Sequence, residues 1–521
     1  MKLTILLYLH TGYWIHRTSY IKHLIHHMRS HLALICIVTI MIIASSCSKD
    51  PGSNPTPPPE PPDTTGNPPA TFDINSITDT YAAIAPFAYH DQWSVYNVHD
   101  PSVLKDGDWY YMFSTDVGYG IDVRAGIQVR KSKDLVEWEF AGWVFEALPK
   151  QASDFIKANG GTPNAGLWAP YIMKAGSEYR LYYSLASDAA RVSCIGLATA
   201  SSPTGPWTEK GLAVTSTDGY PGTNAIDPTI VTTPAGEMWM AYGSAWDGLF
   251  ELKLDASTGL AAASGDKGKR IVRRGITGGI YNGNLEGPEL IYNSTLNMYY
   301  LFVAYDWLET KYNVRVFRSQ NPDGPFSDYN GVNADNQGDN GPMILAPYQF
   351  AGHGGWQGTS HCSVFKDNNG QYYIANQARP SVDKYFMDLH LRKIFWTEDG
   401  WPVVSPERYA WENNDNVQQD SIIGDWEKID LDYNVVPGYG NDQVYPDLQL
   451  SKTMSIETAG TIGGDGSGTW TYTAPWLQLK WSNGATAKVF VQKGRNWENK
   501  KNTVIFTGLN NNGIAVWGKK K

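Results

Sequence analysis

The sequence predicts an all-β protein: a five-bladed β-propeller followed by a small antiparallel β-barrel domain. Three observations support this prediction. One strand–turn–strand phrase returns five times, helical periodicity is nearly absent, and the C-terminal region has alternating strands without the phrase. The 521 residues are 42% hydrophobic and 13% aromatic, which suits a globular chain rich in strands.

Each repeat reads as an apolar strand, a short polar turn and an aromatic strand, the pattern of a hairpin. The copies are DPSVLKDGDWYYMFST from Asp100, APYIMKAGSEYRLYYSLA from Ala169, DPTIVTTPAGEMWMAYGS from Asp227, GPELIYNSTLNMYYLFVA from Gly287 and HCSVFKDNNGQYYIANQA from His361. Another strand and turn follow each copy, so one unit has about four strands, as a propeller blade does. Five units therefore predict a five-bladed propeller over residues 76–410.

Residues 411–521 predict a different domain. The stretches TWTYTAPWLQLKWSNG, AKVFVQKG and TVIFTGLNNNGIAVWG alternate apolar and polar positions between Gly and Asn turns. An antiparallel barrel is the natural way to pack such strands. Its role is left open between holding a glycan, walling a groove and stabilising the propeller.

The N-terminal residues 1–47 predict a targeting segment rather than part of the fold. The apolar stretch LALICIVTIMIIASSC ends in Ala44-Ser45-Ser46-Cys47, which resembles a bacterial lipobox with Cys47 as the lipidated residue. An ordinary signal peptide is the alternative, and Met28 is an alternative start. Residues 48–75 are rich in proline and predict an extended tether. Together these features predict an outer-membrane lipoprotein facing the periplasm or the cell surface.

Charge and cysteine content exclude several functions. A formal net charge of −10 argues against a nucleic-acid partner, which would require a basic face. Apart from Cys36 and Cys47 in the targeting segment, the chain has only Cys194 and Cys362. Two cysteines make neither a disulfide framework nor a zinc cluster, so we expect buried free thiols, with one bridge as the alternative.

Charged residues recur at one edge of the predicted blades. Asp100, Asp227 and His361 stand first in three units, and Glu286 and Trp168 stand one residue earlier in the other two. Because the first strand of every blade lines the central channel, these side chains are expected to converge at one axial mouth. Two carboxylates flanking a sugar bond can hydrolyse it, and a third raises the pKa of the acid. The pattern indicates a glycosidase site.

The motifs HDPSV, AIDPTIV and EGPEL, set in a five-bladed propeller, resemble family 43 of the glycoside hydrolases. LWAPYI, YGSAWDG and GTSHCSVF resemble its extracellular endo-1,5-α-L-arabinanase branch, whose larger members carry a C-terminal barrel. The resemblance implies that Asp100 is the general base, Glu286 the general acid and Asp227 the modulator of the acid's pKa, with inversion at the anomeric carbon. It also implies substrate contacts at Trp168, Asn224, Ala225, Ile226, Ser244, Ala245 and Trp246.

The same resemblance implies one calcium ion, or a similar divalent cation, held in the channel by His361 and water. The implied substrate is arabinan or its oligosaccharides, and the protein is expected to act as a lipid-anchored monomer. Two alternatives stay open. One is an exo-acting α-L-arabinofuranosidase or β-xylosidase on the same fold, and the other is a surface glycan-binding lipoprotein without catalysis.

Overall fold

The computed structural model describes residues 72–117, 123–219, 222–277, 280–336, 342–432 and 444–521. The predicted signal peptide, Cys47 and the tether up to residue 71 lie outside the described residues. Asp73–Lys521 form one compact unit. Within the described ranges, no helix combines the length and the apolar character needed to cross a membrane.

Four antiparallel four-stranded sheets follow one another along the chain, each in simple strand order. The first two contain β1 (His99–Asp106), β2 (Trp109–Thr115), β3 (Gln128–Ser132), β4 (Glu139–Trp143), β5 (Trp168–Ala175), β6 (Glu178–Leu185), β7 (Ser193–Ala200) and β8 (Thr208–Ser216). The next two contain β9 (Thr229–Thr232), β10 (Met238–Tyr242), β11 (Leu249–Leu254), β12 (Lys269–Val272), β15 (Leu285–Asn293), β16 (Met298–Tyr305), β17 (Asn313–Ser319) and β18 (Met343–Leu345). A small hairpin, β13 (Gly275–Thr277) and β14 (Ile280–Asn282), lies between them.

The prediction of five blades differs from the structure in its count, because only four sheets among the described residues are separate four-stranded sheets. The fifth repeat belongs to a seven-stranded sheet of β19 (Tyr348–Gln349), β20 (Trp356–Gln357), β21 (Cys362–Lys366), β22 (Tyr372–Pro380), β23 (Asp388–Trp396), β24 (Pro402–Val404) and β26 (Gln449–Leu450). The nine-residue β22 is long enough to pair with β21 along its first half and with β20 at Arg379 and Pro380. β19 then pairs with β20 and, in parallel, with β26.

The C-terminal strands close into an eight-stranded barrel, which confirms the predicted barrel domain. Its strands are β25 (Gly424–Asp430), β27 (Lys452–Ile456), β28 (Thr461–Gly464), β29 (Gly468–Thr473), β30 (Trp476–Trp481), β31 (Thr486–Asn496), β32 (Lys501–Asn510) and β33 (Ala515–Lys520). The barrel packs on the propeller through aromatic rings: Phe395 stacks on Phe490, and Tyr348 meets Trp517 edge-on.

Helices are few. α1 (Lys150–Ala158) buries Ala152 and Ile156 against the second sheet, and Pro149 precedes it with a φ that suits a helix start. Three short 3₁₀ helices span Ile74–Ser76, Phe87–Gln92 and Gln419–Ile422.

The inner strands β1, β5, β9, β15 and β21 are joined to one another mainly by side-chain-to-backbone hydrogen bonds. Four backbone N–H groups donate to side chains on the neighbouring inner strand, and one Tyr hydroxyl donates to a carbonyl. These bonds are Val103 N to Ser363 Oγ (3.1 Å), Ile172 N to Ser102 Oγ (3.1 Å), Tyr171 OH to Ile230 O (2.6 Å), Leu290 N to Thr229 Oγ1 (3.1 Å) and Val364 N to Glu289 Oε1 (2.7 Å). The bond from Val103 on β1 to Ser363 on β21 connects the first inner strand to the last, so these contacts form a closed ring.

The five repeat starts share one backbone conformation. Each has a positive φ: Asp100 (50°), Ala169 (29°), Asp227 (58°), Gly287 (55°) and His361 (48°). Non-glycine residues rarely adopt this region, and such backbone strain clusters at functional sites. The sequence repeat therefore marks an equivalent structural position in each of the five copies. At this position β1, β5 and β15 also shift register against the strands they pair with.

Cys194 and Cys362 are both buried and free, which confirms the expectation of unpaired thiols. Burial raises the pKa of both thiols, so they are poor nucleophiles and poor metal ligands. They pack as small apolar side chains.

Candidate active site

Asp100 is a buried carboxylate held from two sides. Nδ1 of His361 lies 2.9 Å from Oδ1, and Nδ1 of His99 lies 2.7 Å from Oδ2. Thr115 Oγ1 accepts the Ala169 N–H at 2.7 Å and donates its own hydrogen to Oδ2 at 2.8 Å. Oδ2 thus has two close donors and Oδ1 has one, which leaves an acceptor position on Oδ1 for a further donor such as water.

The tautomer of the neutral His99 ring follows from its neighbours. Nε2 lies 3.0 Å from the Arg379 guanidinium, which has no acceptor and must donate. Nε2 therefore accepts, and the ring proton is on Nδ1, facing Asp100. Gln377 also holds Asp100 in place, because its Oε1 accepts the Asp100 backbone N–H at 2.9 Å.

The pKa of Asp100 is lowered and that of His361 is raised. Burial alone would raise the pKa of Asp100, but His361 and His99, whose Nδ1 atoms lie against its two carboxylate oxygens, hold it well below its usual value. Burial alone would lower the pKa of His361, but Asp100 next to it, with Asp227 and Glu286, raises it to about 10. At neutral pH the pair is an ionised carboxylate and an imidazolium.

Gly287 brings the fourth sheet against this pair. A Cβ at Gly287 would lie 3.0 Å from both Cγ and Nδ1 of His361, and its φ of 55° favours glycine. The Gly287 N–H donates to Oδ2 of Asp227 at 3.1 Å. One glycine therefore lets the backbone lie against the imidazole and binds a second carboxylate.

Glu286, next in the chain to Gly287, is partly buried and bonded at both carboxylate oxygens. Ser244 Oγ donates to Oε2 at 2.7 Å, and Tyr312 OH donates to Oε1 at 2.8 Å. Both donors are neutral, in contrast to the imidazolium beside Asp100. Two hydroxyls fix the side chain in one orientation.

Asp227 is buried next to the other two acids. Burial, together with the negative charges of Glu286 and Asp100, raises its pKa to about 8, although His361 opposes the shift. Asp227 therefore holds a proton at neutral pH. The site thus pairs an ionised carboxylate at Asp100 with a protonated one at Asp227, so a base form and an acid form are present together.

The residues predicted to contact substrate differ in their surroundings. Trp168 is 38% exposed at the start of β5, and the guanidinium of Arg191 lies 4.8 Å from the ring centroid of Trp246. Ser244 is bonded to Glu286, as described above. Asn224 is partly buried, and its Oδ1 lies 3.5 Å from Ser193 Oγ. Ala245 is partly buried, and its N–H donates to Leu285 O at 2.7 Å.

Ala225 and Ile226 lie deeper than the other predicted substrate contacts. Ala225 is fully buried and packs in the core of the third sheet, and Ile226 is 5% exposed. The Ala225 N–H donates to Ser216 Oγ at 2.9 Å, which holds the segment that ends in Asp227. In this conformation the two side chains support the loop and offer a sugar almost no surface.

Sequence analysis missed several residues of the site: His99, Thr115, Tyr312, Gln377 and Arg379. Only His99 had a sequence signal, since it directly precedes Asp100 in HDPSV. Thr115 and Gln377 stand near the ends of the quoted repeat copies, where the residue type varies from copy to copy, and Tyr312 and Arg379 lie outside the copies.

The donor set for the expected cation is small. The described residues contain no group of three or more His, Cys, Asp or Glu side chains that could hold a metal ion. His361 commits Nδ1 to Asp100, so Nε2 is the nitrogen it can offer. At neutral pH that nitrogen carries the imidazolium proton, so a cation there would require His361 to lose it, and the described residues offer no cage of protein ligands besides.

A family model described as glycosyl hydrolases family 43 matches residues 95–402, which contain all four of Asp100, Asp227, Glu286 and His361. The chain belongs to this family. A second model, described as a C-terminal lipocalin-like domain, matches residues 406–518 and so covers the closed barrel of this family 43 protein.

Two curated proteins and one crystal structure illustrate the similarity. An extracellular endo-α-(1→5)-L-arabinanase of Thermotoga petrophila is 28% identical over 474 residues, covering 82% of this chain and 94% of the relative. The crystal structure of the endo-1,5-α-L-arabinanase from that organism covers 82% of this chain and 99% of its own, at 27% identity and a TM-score of 0.70. An extracellular exo-α-(1→5)-L-arabinofuranosidase of Cellvibrio japonicus is 29% identical over 321 residues, covering 59% of this chain and 86% of the relative.

Proposed function

We propose that this family 43 glycoside hydrolase cleaves α-1,5-linked L-arabinan internally, as an endo-arabinanase of pectin side chains. One observation supports endo action. The similarity to the Thermotoga petrophila endo-arabinanase runs through both propeller and barrel and covers 82% of this chain and 94% of that relative.

Asp100 is the proposed general base. Its carboxylate is ionised and rigid, and Oδ1 keeps an acceptor position that can take a proton from the attacking water. Glu286 is the proposed general acid, which protonates the leaving oxygen while Ser244 and Tyr312 hold its orientation. Asp227 is the proposed modulator of this acid, because its carboxylate accepts the N–H of Gly287, the residue next to Glu286 in the chain.

Direct attack of that water on the anomeric carbon inverts its configuration, because no covalent glycosyl–enzyme intermediate forms. Inversion is the part of the proposal that the reaction itself reports. ¹H NMR of linear arabinan during the first minutes of hydrolysis should show the β-anomer of the new reducing end before mutarotation. The α-anomer appearing first would contradict inversion.

The products of linear arabinan distinguish the alternatives. An endo-enzyme releases a ladder of oligosaccharides early in the reaction. Monomer alone, from arabinan or from xylan, would favour the exo-acting arabinofuranosidase or β-xylosidase. Binding without any product would favour a glycan-binding lipoprotein.

The chain is also proposed to act as a monomer anchored by lipid at Cys47, with the proline-rich tether spacing the enzyme from the outer membrane. The relatives' names describe extracellular proteins, which agrees with an exported chain. A calcium ion, or a similar divalent cation, at Nε2 of His361 is proposed as an auxiliary group that stabilises the channel electrostatically.

A further inference from the structure

The barrel has a pocket of its own at one end. Its volume is about 290 Å³, near the lower end of the range for ligand pockets. Residues from the turns β28–β29, β30–β31 and β32–β33 line it, together with the ends of β25 and β27. Barrel mouths are among the preferred places for small-molecule sites, and an eight-stranded barrel has room for one small ligand.

The inward-facing side chains of β25 change from apolar to charged toward this end of the barrel. Trp426 is fully buried in the barrel core, and the residues at the next two positions on the same face are Lys428 and Asp430, which line the pocket. Charged side chains at inward positions of a closed barrel are unfavourable unless they are paired. The barrel is therefore apolar at one end and built for polar contacts at the other.

Lys428 fixes two carboxylates of the pocket. Its Nζ lies 2.8 Å from Asp430, at the end of β25, and 3.1 Å from Asp465, in the turn between β28 and β29. Lys452 lies 3.9 Å from Asp465 on the more exposed side. The pocket thus presents oriented acceptors and ammonium donors before any ligand binds.

Trp481 adds an apolar surface and an unused donor. The side chain is 7% exposed, lines the pocket and has Nζ of Lys428 5.0 Å from its ring centroid. Its Nε1–H has no hydrogen-bond partner among the described residues. A buried donor without a partner is costly, and a ligand oxygen or a water would satisfy it.

We propose that this pocket, defined by Lys428, Asp430, Asp432, Lys452, Asp465 and Trp481, binds a neutral sugar unit of the polysaccharide that the propeller cleaves. Sugar hydroxyls both donate and accept, which matches carboxylates beside ammonium and indole N–H groups. Three aspartates against two lysines disfavour an acidic sugar such as galacturonate. The identity of the sugar as L-arabinose rests on the proposed function; the pocket itself does not.

Affinity electrophoresis of the full chain tests the pocket without turnover. Glu286→Gln serves as the parent, and gels contain linear arabinan, xylan or polygalacturonate. Trp481→Phe, which removes the N–H, and Asp432→Asn, an exposed position that leaves the fold intact, should each weaken retention by arabinan. The expected weakening is roughly tenfold, the value of about one hydrogen bond.

Two control variants lie close in sequence to the tested residues. Asp425→Asn is on β25 and Lys480→Ala is next to Trp481, both exposed and outside the pocket. Both controls should be retained as strongly as the parent. In the background with Glu286 intact, Trp481→Phe and Asp432→Asn should hydrolyse arabinohexaose as the unchanged protein does, because the pocket is not part of the catalytic machinery.

Pocket variants retained as strongly as the controls on both neutral polysaccharides would overturn the proposal. Stronger retention on polygalacturonate than on the neutral polysaccharides would also overturn it. Failure of the unchanged protein to hydrolyse arabinan would overturn the proposed function alone, because retention in the gel is measured without cleavage.

Discussion

Nδ1 of His361 lies 2.9 Å from Oδ1 of Asp100, and this contact joins the first inner strand of the propeller to the last. The contact keeps Asp100 ionised and His361 charged. The proposed base is therefore positioned by a residue 261 places away in the chain, and its charge depends on the two ends of the ring meeting correctly.

Asp100→Asn and Glu286→Gln should each lower kcat on linear arabinan by about 10²–10⁴-fold, the usual contribution of a general base or acid. Both changes preserve size, so the melting curve should still show a folded protein. The two roles separate with an aryl arabinotrioside that has a good leaving group. Glu286→Gln should recover much of its rate on that substrate, and Asp100→Asn should not. Equal recovery by both variants would contradict the assignment.

Gly287→Ala should destabilise the protein and reduce activity, because the new Cβ would lie 3.0 Å from the His361 ring. Gly107→Ala is the matched control: its φ is also 55°, and no atom lies within 4 Å of its Cβ position. Both variants bear the cost of a left-handed alanine, about 1–2 kcal/mol. Chemical denaturation should show a larger loss for Gly287→Ala. Equal losses would mean that the contact with His361 is unimportant.

Asp227→Asn should change how stability depends on pH. Burial and the charges of Glu286 and Asp100 raise the pKa of Asp227 to about 8, against an ordinary value of 3.8. Between these values the folded state holds a proton that the unfolded state lacks, so Asp227 lowers the free energy of unfolding progressively as pH rises. The Tm of the variant minus that of the unchanged protein should therefore increase from pH 5 to pH 8. A constant difference would show that Asp227 does not titrate in this window.

Calcium should raise the Tm of the unchanged protein by mass action, since the proposed site exists only in the folded state. Chelation should lower both Tm and hydrolysis rate. His361→Ala should respond to neither treatment, because it lacks the imidazole that would hold the ion. Calcium sensitivity that persists in His361→Ala would locate the ion elsewhere, and insensitivity of the unchanged protein would remove the cation from the proposal.

Cys47→Ala should move the protein from the membrane fraction to the soluble fraction of cells expressing the full chain. Lipidation requires the thiol, and no other cysteine lies near the expected cleavage site. Ser46→Ala changes the neighbouring residue and keeps the thiol, so it should stay with the membranes. A Cys47→Ala protein that still sediments with membranes would show that lipid at this residue is not the anchor.

The position at which each repeat begins was predictable from sequence, because each repeat start requires the same backbone conformation, a positive φ. Asp, His and Gly tolerate a positive φ better than most residues do, and they stand at four of the five starts. The seven-stranded sheet was not predictable in the same way. It depends on pairing between Tyr348 and Gln449, which are far apart in the chain and share no motif.

The residues of the candidate site also differ in whether a sequence pattern reveals them. Asp100, Asp227, Glu286 and His361 sit at the repeat phase, so a sequence pattern reveals them. Tyr312 and Gln377 reach the site through tertiary packing, which no local pattern encodes. α1 was missed although Pro149 marks its start, because nine residues give too short a period against the strands around it.

The closure of the propeller has a consequence for how the enzyme fails on heating. Among the described residues no strand of the first repeat enters the sheet of the fifth, so the seam between them is held by a buried apolar cluster that includes Tyr110 and Phe365 and by individual side-chain and backbone contacts. These include Val103 N to Ser363 Oγ, the Tyr96–Asp388 bridge and the contact of Asp100 with His361. Gentle warming should part this seam while the sheets persist. Activity is then expected to be lost at a lower temperature than the far-ultraviolet circular dichroism signal. Loss of activity would therefore report the opening of the ring before the strands unfold.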